Sequence, residues 1–125
     1  MGSCLLTYTK PQSKLNDYKV LYPSQGSTIR DGMIRTGGDY EVNTVWDMGK
    51  VYHALLYYWM HPDNYSTEQL YYGSTTSSYT QFAAAAAGSN IKGSYECTAR
   101  YIRCRFTASG SGSVLLNIFA LAVEE

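Results

Sequence analysis

The chain has 125 residues, with ten basic and ten acidic side chains, and charged residues make up only 16% of it. That length predicts one domain, 1–125, able to fold on an apolar core without a metal or disulfide scaffold. Balanced charge leaves no basic field for phosphate, which argues against nucleic acid or an anionic membrane as partner. No apolar run reaches the ~18 residues of a membrane span, and no basic segment followed by an apolar core predicts secretion.

Thirteen tyrosines stand where charge is missing. They either line a β-sheet or supply wide amphipathic contact to a partner, since a Tyr ring covers much area at low entropy cost. Cys4, Cys97 and Cys104 are odd in number. The latter two are seven positions apart, so on one continuous strand they would face opposite sides and could not bridge. No Cys/His spacing suits zinc, and three free thiols in a reducing compartment are expected. Met1-Gly2-Ser3-Cys4 resembles an acylated start, but Leu6 stands where that pattern requires Ser or Thr.

Residues 1–26 read as a leading segment with short strands at Cys4 to Tyr8 and Tyr18 to Tyr22, broken by Pro11 and by Pro23-Ser24-Gln25-Gly26. Asp31-Gly32 and Thr36-Gly37-Gly38-Asp39 are turns. Val45, Trp46 and Met48 lead to a Gly49-Lys50 turn, and Val51 to Met60, rich in Tyr, Trp, Val and Leu, predicts the central strand. Its two faces are both mostly apolar, so it is either covered on both sides or covered on one and aromatic on the other. His53 lies mid-strand as a sheet or core residue, and Pro62, having no N–H for a ladder, ends the run.

Gln69 to Ser74 and Tyr79 to Phe82 follow as strands around a Ser/Thr-rich loop. Ala83 to Ala87 is too short for a helix and reads as an extended or single-turn segment permitting close approach of another backbone. Cys97 to Thr107 alternates, with Ile102, Cys104 and Phe106 on one face and Tyr101, Arg103 and Arg105 on the other. The Gly/Ser loop 108–113 then returns the chain into Val114 to Val123, predicting an antiparallel hairpin. Six to eight strands with polar turns predict an all-β fold, a β-sandwich or barrel.

The order of signals over 27–125 resembles the discoidin domain, the factor V/VIII type C group of the galactose-binding-like superfamily. The resemblance rests on Asp31-Gly32 with Thr36, on Asp47-Met48-Gly49 before a long apolar strand, on Leu70-Tyr71-Tyr72-Gly73-Ser74, and on Arg100-Tyr101-Ile102-Arg103 before the last strand. It departs from the family where Gly37-Gly38-Asp39-Tyr40 replaces the usual Trp and where Met48 replaces Leu. It implies a single-domain antiparallel jelly-roll β-sandwich without catalysis, binding sugars, phospholipids or proteins through loops at one end. It also raises a structural calcium near the Asp31 turn, with Asp31, Thr36 and Glu124 as donors, against a turn held by the Asp31 side chain alone.

No Ser lies in a nucleophile elbow and no carboxylates pair as in glycosidases, so no enzyme is expected. His61, Asp63, Asn64 and Tyr65 share one loop, where a ring and hydrogen-bonding groups suit a sugar. Tyr40 and Tyr22 are further candidates, and an ordinary strand-end turn is the alternative. Arg103 and Arg105 share a face that meets either an anionic partner or solvent, with salt bridges to Glu96 or Glu41. Two functions are therefore expected. One is a structural module of a larger assembly: a virion decoration or tail/fibre protein, with protein partners or homo-oligomer contacts, found in the virion or in the cytoplasm before assembly. The other is a stand-alone carbohydrate-binding module with glycan partners.

Overall fold

The computed structural model describes residues 18–23, 33–35, 40–108 and 112–124. They form seven strands: β1 Lys19–Leu21, β2 Met33–Arg35, β3 Tyr40–Pro62, β4 Ser66–Thr75, β5 Ser78–Ala85, β6 Ile91–Ala108 and β7 Ser113–Glu124. All pairings are antiparallel, in the order β1-β7-β3-β6-β4-β5, with β2 also on β7.

One sheet becomes two layers because β3 and β6 bend together. The N-terminal part of β3 pairs with 101–108 of β6, and 52–60 of β3 pairs with 91–99. Between Asp47 and Tyr52, β3 has four residues where β6 has only Arg100. Such a bulge bends the ladder and lets a strand change layers. Gly49 takes up the distortion at φ +94°, a conformation that costs little only without a Cβ. Asp47 fastens the bend. Its Oδ1 accepts from the Gly49 N–H at 2.8 Å and from Arg100 Nε at 2.8 Å, and its Oδ2 accepts from Arg100 Nη2 at 3.0 Å. The Asp47-Met48-Gly49 segment is thus a bulge inside a continuous 23-residue strand, not the expected turn.

The layers enclose a single core. Leu70, Ile102, Cys104 and Phe106 from the β4 side meet Leu56, Met60, Leu116 and Ala120 from the β7 side. Tyr58, Tyr72, Phe82 and Tyr95 pack against this core as a ring cluster, Phe82 stacked on Tyr95 at 5.0 Å. On β3, Tyr52, Ala54, Leu56 and Met60 are buried while His53, Tyr57 and Trp59 lie on the outer, partly exposed face. The central strand is therefore covered on one side and aromatic on the other. The result is an all-β antiparallel sandwich.

Three expectations need correction. β6 and β7 are not a hairpin, because β3 lies between them. β6 ends paired with the start of β4, and β7 begins paired with the end of β3. Cys97 and Cys104 do not face opposite sides. The buried set on β6 changes from Cys97 and Ala99 to Ile102, Cys104 and Phe106, since the bend at Arg100 reverses the alternation. Both thiols are free and buried. The alanine run is extended as expected: Ala83 to Ala85 belong to β5, and Ala85 is buried opposite Glu68. Lastly, Glu96 bonds His53 at 2.6 Å rather than an arginine. Arg103 bonds Asn43 at 2.9 Å and lies between the Tyr71 and Tyr79 rings. Glu41's side chain lies outside the described residues.

Glu68 stands apart within the core, fully buried on β4. Its Oε2 accepts from the Cys104 thiol at 3.6 Å, and its Oε1 has no hydrogen-bond partner among the described residues. Burial pushes its pKa up to about 8, with the thiol contact opposing, because a buried carboxylate loses its hydration. The same burial raises the Cys104 thiol well above its ordinary value.

Candidate functional site

The bend leaves both ends of β3 at the same end of the sandwich. Tyr40 pairs with Ala108, which on its other side pairs with Ser66. Pro62 pairs with Val114, and Met60 with Ile91. The β3–β4 turn, the β5–β6 loop and the start of β7 therefore cluster there, and the sequence-predicted loop residues lie in this cluster.

Asp63 ties the cluster together. Its Oδ1 accepts from the Tyr65 N–H at 2.9 Å, and its Oδ2 accepts from the Ser113 N–H at 2.9 Å and the Ser113 hydroxyl at 3.4 Å. Its own N–H donates to Ser113 O at 2.9 Å, and its carbonyl accepts from Gly88 N at 2.9 Å and Ser66 N at 3.3 Å. Burial raises its pKa, but bonds from Tyr65 and Ser113 help outweigh that and hold the carboxyl below its ordinary value. So Asp63 builds the turn, and its carboxylate is already engaged.

Around this anchor, Asn64 and Tyr65 point outward, with Tyr65 64% exposed. Gly88 has φ +76°, and a Cβ there would stand 2.5 Å from Asn64 Oδ1. Only glycine lets the β5–β6 loop close over Asn64. The His61 ring Nδ1 lies 2.6 Å from Ser89 O. A carbonyl only accepts, so Nδ1 carries the proton, and Nε2 of the neutral ring is left as an acceptor. The cluster offers one exposed ring, an amide and an imidazole on a frame fixed by backbone bonds. That arrangement can stack on the apolar face of a small polar ligand and orient its hydroxyls.

Of the other candidates, only the backbone of Tyr40 is described, in register beside this cluster. Asp31 and Thr36, two of the three calcium candidates, lie outside the described residues. Glu124 is exposed at the end of β7, its Oε2 paired with Lys50 at 3.1 Å. Among the described residues no cluster of three or more His, Cys, Asp or Glu could hold a metal. Sequence reading missed Ser113 and Gly88 as partners of the turn. The Asp63-x-Tyr65 spacing signals a side-chain-to-backbone turn, but nothing in the chain marks its partners 25 and 50 residues away.

The chain is an antiparallel β-sandwich with the discoidin-like fold that its sequence resembles, and a bonded loop cluster lies at one end. No protein-family model and no curated protein sequence matches the chain. Solved structures do. Chitosan-binding module 1 of a chitosanase/glucanase from Paenibacillus sp. IK-5 superposes with TM-score 0.51 at 12% identity, covering 83% of this chain and 94% of that one. A family 32 carbohydrate-binding module of a family 31 glycoside hydrolase from Clostridium perfringens gives 0.50 at 12%, covering 85% and 94%. A GH29 fucosidase from Ruminococcus gnavus gives 0.55 at 15%, covering 88% of this chain but 26% of the enzyme. At these identities the likeness is one of fold.

Proposed function

We propose that the chain is a non-catalytic carbohydrate-binding module that holds a sugar at the loop cluster around Asp63. The observation that carries this reading is the exposed Tyr65 ring, set by the Asp63 carboxylate on a bonded turn and flanked by Asn64 and His61. Tyr65 stacks on the apolar face of a sugar ring, and the Asn64 amide and His61 Nε2 bond its hydroxyls. Asp63 acts as the positioning residue. Two proteins of the same fold are described as a chitosan-binding module and a family 32 module, which supports the assignment. None of the structural likenesses bears on the virion-protein expectation.

A glycan array probed with the whole chain, followed by calorimetry on the strongest uncharged ligand, tests the proposal. Tyr65→Ala is expected to weaken binding at least ~5-fold, in line with the ~1–3 kcal/mol of a stacked ring. Absence of binding to any glycan, or full binding by Tyr65→Ala, would overturn it.

A further inference from the structure

We propose that the outer face of the β6–β3–β7 layer carries a second saccharide site, separate from the loops, and that this site takes an acidic sugar. Alternation along β3 puts Tyr57 and Trp59 on this face. Their partners are Phe119 and Asn117 on β7, and Lys92 opposite Trp59 on β6. These side chains line a groove of about 260 Å³. That is close to the lower bound of ordinary small-ligand sites, a size suited to a sugar residue rather than a protein surface.

Three features make the groove a site rather than a bare apolar patch. Its floor is a row of rings: Phe119 stacks on Tyr57 at 5.0 Å, and Tyr22 lies 5.7 Å from Phe119 on the other side. Tyr57 and Phe119 are each 37% exposed, so the row presents ring surface to a sugar. Trp59 is fixed, its indole N–H donating to Asn90 Oδ1. The third feature is a cation. Lys92 Nζ sits 5.1 Å from the centre of the Trp59 ring and has no ion-pair partner among the described residues. Glu96, the acidic residue further along β6, is bonded to His53. The ring holds Lys92 at the groove wall without neutralising it, and Asn117 supplies an exposed amide on the other side of Trp59. An apolar floor with one unneutralised ammonium and one amide matches a sugar bearing a carboxylate, the ring lying over Tyr57 and Phe119.

The test is calorimetry of the whole chain with trigalacturonic acid and with its carboxyl-reduced, uncharged counterpart. The acid should bind at least tenfold more tightly, and added salt should narrow the gap. Lys92→Gln should abolish the difference and Lys92→Arg should keep it. Phe119→Ala should weaken both ligands. Tyr65→Ala, which removes the loop ring, should leave acid binding intact, so the two sites fail separately. Equal affinity for the two trisaccharides, binding of neither, or undiminished acid preference in Lys92→Gln would overturn the proposal. So would loss of acid binding in Tyr65→Ala, which would assign it to the loops. Concentration-dependent dimerisation abolished by Phe119→Ala would instead assign this face to a second copy of the chain.

Discussion

Replacing Glu68 by Gln should make the protein more stable at pH 8, although the change lies in the middle of the core. Glu68 is fully buried, and its pKa rises from an ordinary 4.5 to about 8 in the folded chain. Between those values the folded chain keeps a proton that the unfolded chain has released, so stability falls as pH rises. The contribution is fully present below the unfolded value of 4.5 and is lost as pH climbs to about 8. At about 1.4 kcal/mol per pH unit this amounts to about 5 kcal/mol. Gln carries no such cost, but its amide nitrogen brings a donor to a site where Oε1 already lacks a partner, which costs about 1–3 kcal/mol. The variant should therefore be about 2–4 kcal/mol more stable than wild type at pH 8 and about 1–3 kcal/mol less stable near pH 4.5. Urea unfolding across that range reads the difference, and subtracting the two curves removes groups common to both proteins. A difference that stays flat with pH would refute the reasoning.

Other outcomes follow from the bend and the loop anchor. Asp47→Ala removes the bonds to Gly49 and Arg100 and should cost about 1–3 kcal/mol in urea unfolding. Gly49→Ala meets no neighbouring atom within 4 Å and should cost only the left-handed backbone strain, about 1–2 kcal/mol. Gly88→Ala forces Asn64 aside and should weaken sugar binding more than it lowers the melting temperature. Asp63→Ala should do both. Because the Asp63 carboxyl is held below its ordinary value, its contribution is present above about pH 4 and lost as pH falls through the folded value. Acid unfolding of wild type and Asp63→Ala should accordingly converge at low pH.

Much of the fold was legible because it rests on local signals. Residue type placed the strand at Val51 to Met60 and the strand at Val114 to Val123 without choosing their inward faces, Pro62 marked the end of β3, and Asp47-Met48-Gly49 marked an irregularity that reads as a turn and is a bulge. Pairing was not legible. The Gly/Ser loop after β6 suits a hairpin, but the bend at Arg100 had already taken that half of β6 into the other layer, so β7 pairs with β3. The same bend brought Cys97 and Cys104 to one side, and period-two counting has no means of seeing a reversal set by a three-residue register shift on the partner strand. In the candidate site, His61 to Tyr65 stood out by residue type, whereas Ser113 and Gly88 join through long-range pairing. Lys92 and Asn117 meet Trp59 only through the ladders. Glu68 reads locally as an ordinary polar strand residue, and its burial follows from β5 and β6 closing on both sides of it.

The most direct test of the central claim is an NMR titration of the isotope-labelled chain with the strongest uncharged ligand from the glycan array. The account predicts saturable shifts centred on the amides of His61, Asn64, Tyr65, Gly88 and Ser89, with the midpoint moved at least ~5-fold higher in Tyr65→Ala. Shifts confined to surfaces away from that loop cluster, or none at saturating sugar, would contradict it.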